Sequence, residues 1–134
     1  MEKNLIFSGK RKTSIAKATI RAGTGRVRIN KKAIEFFPKL QQLELREPLM
    51  IAKDILGELK FDIFVNVRGG GISSRVEASR LAIARAIVGF TKSDSFKKAC
   101  LSYDRNMLIA DTRRKEAYKP GDSKARAKRQ TSYR

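Results

Sequence analysis

Few side chains that perform acid–base or metal chemistry occur in this sequence. Its 134 residues include no histidine, so the commonest general base and the commonest transition-metal ligand are both missing. The single cysteine, Cys100, cannot build a zinc site alone. A small, half-buried helix residue is a better interpretation of Cys100 than a thiol whose pKa is lowered by Lys97 and Lys98. Asp104 and Asp111 could pair to hold magnesium, but carboxylates in so basic a chain more often form salt bridges. The sequence therefore predicts no enzyme and no cofactor.

Two glycine-containing segments suggest phosphate-binding loops. Residues 9–13 read Gly-Lys-Arg-Lys-Thr, which lacks the earlier glycine of a P-loop and its Ser or Thr directly after Gly-Lys. Residues 69–71 are three glycines between a predicted strand and a predicted helix, a context in which backbone N–H groups bind phosphate. A sharp turn followed by a helix cap at Ser73 or Ser74 is the favoured interpretation. Close approach of an RNA backbone comes second, and a free nucleotide is a distant third.

Lysine and arginine dominate the two ends of the chain. The formal net charge is +18, and residues 1–32 carry ten cations against one acid. Residues 113–134 carry nine cations against two acids, whereas residues 33–112 are nearly balanced. Such self-repulsion favours a polyanionic partner, and nucleic acid suits it because each neutralised phosphate releases a counterion. A membrane surface fits less well, since the basic C-terminal segment has almost no aliphatic side chains.

The elements that must position these cations follow from hydrophobic periodicity. Residues 14–21 and 26–30 alternate between apolar and polar or basic side chains, and glycines lie between them. This pattern predicts a β-hairpin with one apolar and one basic face. The basic face would meet a polyanion, although an outer face that only contacts solvent explains any single side chain equally well.

The remaining segments predict further elements of one domain. Residues 33–45 suggest short helical turns, and Pro48 suits the first position of a buried helix that ends near Leu59. Residues 61–67 give the strongest strand pattern, and residues 73–90 and 94–103 predict helices. The order predicts an α+β domain whose helices cover one face of a sheet. Beyond residue 110 the chain has too little apolar content to fold alone.

Several blocks resemble a known family. Residues 9–16, 67–74 and 78–86, and 124–126 with 130–134, resemble in order the signature segments of the ninth small-subunit ribosomal protein family. Residues 101–105, with the nearby 110–114, look like its archaeal and eukaryotic branch. The chain departs from the pattern at Arg75, where many members carry glutamine. That arginine could add a phosphate contact.

The resemblance implies an α+β fold of the kind seen in domain two of the fifth small-subunit protein. Its mixed β-sheet has helices packed on one face and contains a left-handed βαβ crossover, the reverse of the general rule. Residues 1–110 would form the globular RNA-binding domain, and residues 111–134 an extended basic tail threading into RNA. The implied role is that of a structural constituent of the small ribosomal subunit in the cytoplasm, bound to rRNA and to neighbouring proteins in the subunit head. The tail would reach the tRNA in the peptidyl site. No membrane and no small-molecule substrate is expected.

Charge and resemblance together predict two sets of contacts. The predicted rRNA contacts are Lys10, Arg11, Lys12, Lys17, Arg26, Arg28, Arg68, Gly69, Gly70, Gly71, Arg75, Arg113, Arg114, Lys115, Lys119, Lys124, Arg126, Lys128 and Arg129. The predicted contacts to peptidyl-site tRNA are Ser132, Tyr133 and Arg134. Related folds also occur in the protein of ribonuclease P and in small-molecule kinases, so an RNA-processing subunit and a kinase-like enzyme are the alternatives.

Overall fold

The computed structural model of the chain describes residues 4–133, which form a mixed five-stranded sheet and three α-helices. The strands are β1 (Leu5–Arg11), β2 (Ser14–Ala22), β3 (Val27–Ile29), β4 (Lys32–Ala33) and β5 (Phe61–Arg68). The helices are α1 (Lys39–Leu56), α2 (Ile72–Thr91) and α3 (Asp94–Tyr103), and short 3₁₀ turns occupy Ile34–Phe36 and Arg105–Met107. The predicted strand 61–67 and the predicted helices 73–90 and 94–103 are confirmed to within a residue.

The strand order corrects the predicted hairpin. The sheet runs β1-β2-β5-β3-β4, so β5 lies between β2 and β3, which do not pair with each other. Strand β2 pairs antiparallel with β1 and β5, and β3 pairs parallel with β5. Strand β1, which was not part of the predicted hairpin, provides the true hairpin partner of β2. Alternation reports which face a side chain occupies but not which strand it neighbours.

Small residues let the sheet approach α2 closely. Ala16, Ala18 and Ile20 of β2 are fully buried, together with Ala78 and Ala82 of α2. A Cβ atom on Gly9 of β1 would lie 2.3 Å from the carbonyl oxygen of Ala78, so this contact requires glycine. Helix α2 packs on β1, β2 and β5, and α1 and α3 pack in turn beside α2. The helices therefore cover one sheet face, as predicted.

Helix α1 differs from the prediction. Residues 39–56 form one helix that includes Pro48, whereas short turns and a helix starting at Pro48 were expected. Pro38 occupies the N-cap, and the fully buried Pro48 lies in the helix interior. An internal proline costs about 3 kcal/mol, because it lacks an N–H and its ring clashes with the preceding turn. Packing of the buried side chains, such as Leu45 and Ala52, offsets this cost. The expected deep burial is also wrong for the outer side of α1, where Met50 is exposed.

The chain beyond the last 3₁₀ turn has no helix or strand within residues 108–133. Leu108 still packs against the core, whereas most side chains from Thr112 to Tyr133 are exposed. Within the described residues, no helix combines the length and apolar character needed to cross a membrane.

Candidate nucleic-acid interface

The sheet face opposite the helices carries four of the predicted contacts, Lys10, Lys17, Arg28 and Arg68. We call it the open sheet face. Strand register arranges its side chains in four rows across the sheet: Lys10, Ile15 and Arg68; Ser8, Lys17 and Asn66; Ile6, Thr19, Phe64 and Arg28; Arg21 and Asp62. Neighbouring strands lie about 4.8 Å apart and successive rows about 7 Å apart, so these side chains form one continuous surface. Every row contains at least one cation.

An aromatic side chain lies in the middle of this surface. Phe64 pairs with Thr19 on one side and with Arg28 on the other. The guanidinium carbon of Arg21 lies 5.0 Å from the centroid of the Phe64 ring, a cation–π contact. Neither Phe64, Arg21 nor Asn66 was among the predicted contacts. Period-two alternation along 61–67 would have found Phe64 and Asn66, because they face away from the buried Ile63 and Val65.

Asp62, the carboxylate on this face, is committed to the loop between β2 and β3. Its Oδ1 accepts hydrogen bonds from the backbone N–H groups of Thr24 and Arg26, each at 2.9 Å. The bond from Arg26 is the main reason that the pKa of Asp62 is lowered, and burial opposes this shift. The lowered pKa keeps this carboxylate ionised, so the open sheet face carries one fixed negative charge beside its cations. Arg26 lies at this end of the sheet, two residues before Arg28.

The triple-glycine turn packs against the β1–β2 hairpin at the other end of the sheet. Gly69 and Gly70 adopt φ values of +79° and +66°, and Gly71 is extended. The Ser14 hydroxyl donates to the Gly69 carbonyl at 2.8 Å and lies 2.9 Å from the Ser74 hydroxyl. A Cβ on Gly70 would lie 2.0 Å from Ser14 Oγ, whereas one on Gly71 would meet no atom within 4 Å. The favoured turn interpretation accounts for Gly69 and Gly70, while Gly71 stays accessible.

The predicted serine cap is wrong. Gly71 is the N-cap of α2 and makes no side-chain capping hydrogen bond, while the Ser74 hydroxyl donates to the Gly71 carbonyl. Arg75 Nε donates to the Gly69 carbonyl at 3.0 Å. The guanidinium of Arg75 is therefore held over the turn, beside Gly70 and Gly71.

An ion-pair network joins the β1–β2 hairpin to the start of the tail. Arg11 contacts Glu77 of α2 and lies 3.5 Å from Asp111, and its side chain is largely buried. Asp111 in turn accepts from Arg113, whose side-chain hydrogen bond is the largest cause that holds the pKa of Asp111 well below its ordinary value. Arg11 is thus neutralised within the chain, unlike the exposed Lys12 beside it.

This junction also brings distant cations together. Lys12 and Thr13 at the hairpin tip line a common groove with Arg113, Arg114 and Lys115. The sequence separates these two groups by about a hundred residues. The predicted contacts at both ends of the chain therefore meet at one end of the sheet.

The tail beyond this groove presents its cations to solvent. Lys119, Lys124, Lys128 and Arg129 are exposed, and Arg126 forms an ion pair with Glu116 at 3.1 Å. The Lys115 ammonium lies 4.6 Å from the centroid of the Tyr118 ring. Ser132 and Tyr133 are exposed, and Arg134 lies outside the described residues.

The side chains considered for catalysis are engaged differently. Asp104 accepts from Arg80 at 3.0 Å, and residues 4–133 hold no cluster of three or more potential metal ligands. Burial raises the pKa of the Cys100 thiol to about 11. The alternative of a lowered thiol pKa is therefore wrong.

Comparisons with known proteins match most of the chain. Residues 9–134 match the family model described as "Ribosomal protein S9/S16". The chain is 46% identical over 129 residues to "Small ribosomal subunit protein uS9" of Methanococcus maripaludis strain C5. The aligned region covers 94% of this chain and 95% of that protein. The protein of the same name from Methanococcus vannielii is also 46% identical, with the same coverage.

Proposed function

Because the chain belongs to the ribosomal protein S9/S16 family, we propose that it is a structural constituent of the small ribosomal subunit that binds the subunit's rRNA. Its place is on the ribosome in the cytoplasm, in contact with neighbouring proteins of the subunit head. The main support for rRNA binding is the composition of the open sheet face. Every row of this face holds a cation, and its single acid accepts hydrogen bonds from backbone amides.

The chemistry of the open sheet face suits an RNA surface. Lys17, Arg28 and Arg68 are exposed, and arginine binds phosphate through two parallel hydrogen bonds. Phe64 and Arg21 add flat surfaces of the kind on which unpaired bases stack. The groove of Lys12, Arg113, Arg114 and Lys115 extends this positive surface to the root of the tail.

Salt dependence of binding tests the sheet contact. Replacing Lys17 and Arg28 by glutamine removes two phosphate contacts, so the log–log salt slope of binding to small-subunit rRNA should fall by roughly 0.7–0.9 per contact. A charge-matched control replaces Lys39 and Lys53 of α1, on the helix side of the molecule, and should leave the slope unchanged. Equal slopes for both double variants would contradict the proposed surface.

For the tail, we propose two functions along its length. Lys119, Lys124, Arg126, Lys128 and Arg129 anchor it in rRNA. Residues 132–134 then contact the tRNA in the peptidyl site. Exposure of the described tail residues and their lack of helix or strand support RNA binding by the tail, because such a segment is free to order along RNA. The boundary with the globular domain lies near residue 110, beside the Asp111 ion pairs.

Two deletions separate these functions. Small subunits that contain a chain lacking only residues 132–134 should incorporate the protein normally but bind peptidyl-site tRNA more weakly. Deletion of 124–134 should show the same tRNA defect and, in addition, faster release of the protein at high salt. Unchanged tRNA affinity in both deletions would exclude the tRNA contact, without affecting the proposed rRNA contact of the core.

The β3–α1–β5 crossover is proposed to be left-handed, and two backbone hydrogen bonds support this. The Ile63 N–H donates to Arg26, and the Val65 carbonyl accepts from the Asn30 N–H, so both groups point toward β3. Both side chains face the helices. Consider β5 running upward with these side chains toward the viewer. An L-residue in that orientation directs its N–H and C=O to the right, so β3 lies to the right of β5. The chain therefore passes from β3 on the right, through α1 on the viewer's side, to β5 on the left, which is the left-handed connection. A density map that placed β3 on the other side would contradict this handedness.

An accessory subunit of a ribozyme is the alternative RNA-binding role. Sedimentation separates the two, because a ribosomal protein co-migrates with small subunits through a high-salt wash. Migration of the chain with a smaller ribonucleoprotein would contradict the ribosomal role. The kinase-like alternative finds no support in the triple-glycine turn, where Gly70 is closed off by Ser14 and Ser74.

A further inference from the structure

Helix α1 presents a stripe of large apolar side chains that no described residue covers. Leu40, Leu43 and Met50 follow each other along its outer side, and Phe36 stands just before the helix. Their side chains are 70%, 53%, 61% and 80% exposed, respectively. The spacing is that of one helix face, and at 1.5 Å per residue the stripe from Leu40 to Met50 is about 15 Å long. Single exposed apolar residues are ordinary on a protein surface, but several large ones on one helix face indicate an interaction surface.

This stripe lies in the acidic region of a very basic molecule. Residues 35–58 carry five carboxylates and three cations, whereas the whole chain has a formal net charge of +18. Glu44 lies on α1 next to the stripe, whereas Glu47 is paired with Arg80 of α2 and accepts a hydrogen bond from Tyr103 of α3 at 3.3 Å. Tyr103 is itself mostly exposed and extends the surface across to α3. We call Phe36, Leu40, Leu43, Met50 and Tyr103 the α1 face.

We propose that the α1 face is the docking surface for a basic protein of the small subunit, one that places apolar side chains on the stripe and lysine or arginine beside Glu44. This inference rests on the proposed ribosomal function and names the side of the molecule that meets protein rather than RNA. Apolar contact supplies most of the affinity, and the carboxylate of Glu44 favours a cationic partner.

Charge disfavours the other occupants. An RNA backbone brings phosphates against a region with net negative charge, while the same molecule offers the strongly positive open sheet face on its other side. A second copy of this chain in a two-fold arrangement would bring Glu44 close to its own equivalent. An anionic lipid surface meets the same repulsion.

Site-specific photo-crosslinking in assembled subunits tests the partner class. The full-length chain carries p-benzoylphenylalanine in place of Leu43, is assembled into small subunits, and is irradiated after a high-salt wash. Mass spectrometry should identify a different subunit protein, joined at a peptide with lysine or arginine beside apolar residues. An adduct with rRNA, an adduct with a second copy, or no adduct would overturn the proposal.

Placing p-benzoylphenylalanine at Lys17 instead tests the proposed rRNA contact independently of the protein contact at Leu43. On the open sheet face it should react with rRNA, and its failure to do so would contradict the rRNA contact while the Leu43 result still decides the protein contact.

Substitutions on the α1 face provide the second measurement. Leu43→Ser combined with Met50→Ser removes exposed apolar groups, so the thermal midpoint and rRNA affinity of the isolated protein should not change. Loss of the variant from washed subunits should be about tenfold faster than for the parent, because interface substitutions act mainly on dissociation. Ile109→Ser, an exposed apolar position outside the α1 face, is the matched control and should dissociate like the parent. Equal retention of the double variant and the parent would overturn the proposal.

Discussion

The guanidinium of Arg11 lies 3.5 Å from the carboxylate of Asp111, and this contact fixes the root of the tail to the β1–β2 hairpin. The same guanidinium contacts Glu77 of α2, so three distant parts of the sequence meet at one arginine. Asp111 also holds Arg113 through both its side chain and its backbone N–H. Arg113 and Arg114 are therefore presented beside the hairpin tip rather than left at an arbitrary position along the tail.

Loss of the Asp111 carboxylate charge should loosen the tail root. In Asp111→Asn we expect trypsin to cleave after Arg113 and Arg114 faster than in the parent, because the ion pairs with Arg11 and Arg113 are weakened. Time courses followed by mass spectrometry measure the cleavage rates. Asp122→Asn, a charge-matched change farther along the tail, is the control. Identical digestion of the parent and Asp111→Asn would show that the contact does not restrain the root.

Asp62 should make stability depend on pH in the acid range. Its pKa is lowered in the folded protein, so its stabilising contribution is complete above the unfolded value of about 3.9 and disappears as pH falls through the folded value. Asp62→Asn should flatten the pH dependence of the free energy of unfolding below about pH 4. Asp62→Ala removes the acceptor for the Thr24 and Arg26 N–H groups and should cost about 1–3 kcal/mol at neutral pH. Denaturant titrations between pH 3 and 7 measure both effects, and parallel curves for the parent and Asp62→Asn would contradict the assignment.

Two neighbouring glycines of the turn should respond differently to replacement by alanine. Gly70→Ala introduces a Cβ at a φ of +66° and only 2.0 Å from Ser14 Oγ, so we expect a loss of about 1–3 kcal/mol in the free energy of unfolding. Gly71→Ala introduces a Cβ into open space on an extended backbone, so its stability should stay within about 0.5 kcal/mol of the parent.

Binding of rRNA by Gly71→Ala then tests the second interpretation of the turn. Weaker binding by this stable variant would favour close approach of an RNA backbone. Unchanged binding would leave the turn with a structural role only.

Cys100 should be unreactive in the folded protein. Its thiol is fully buried and its pKa is raised to about 11, so very little thiolate exists at pH 8. Labelling by a chromogenic disulfide reagent should be slow in buffer and rapid in concentrated guanidinium chloride, which provides the unfolded control. Fast labelling of the native protein would show that α3 opens readily or that the thiol is accessible.

Local periodicity was sufficient for several elements. Strand β5 and helices α2 and α3 were predicted almost to the residue, because each has a strong apolar pattern bounded by glycine or by a capping residue such as Ser93. The concentration of cations at both ends was likewise visible without a structure, since formal charge is read directly from the residue types along the chain. The sequence also showed that Lys17 and Arg28 point away from the apolar side of their strands.

Local periodicity was insufficient for α1 and for the hairpin. Proline at position 48 normally marks a helix start, and only the packing of Leu45, Pro48 and Ala52 shows that the helix continues through it. Residues 14–21 and 26–30 have the alternation of a hairpin, yet β5 separates β2 from β3.

The sequence by itself determined which side chains are apolar, which are cationic and which share a strand face. The tertiary structure decided which of them are neighbours: Arg68 lies in one row with Lys10, Phe64 lies between Thr19 and Arg28, and Arg11 lies against Asp111. The physical reason is that pairing between distant strands depends on how whole elements pack over a shared core, whereas periodicity records only the surroundings of each residue along its own strand or helix.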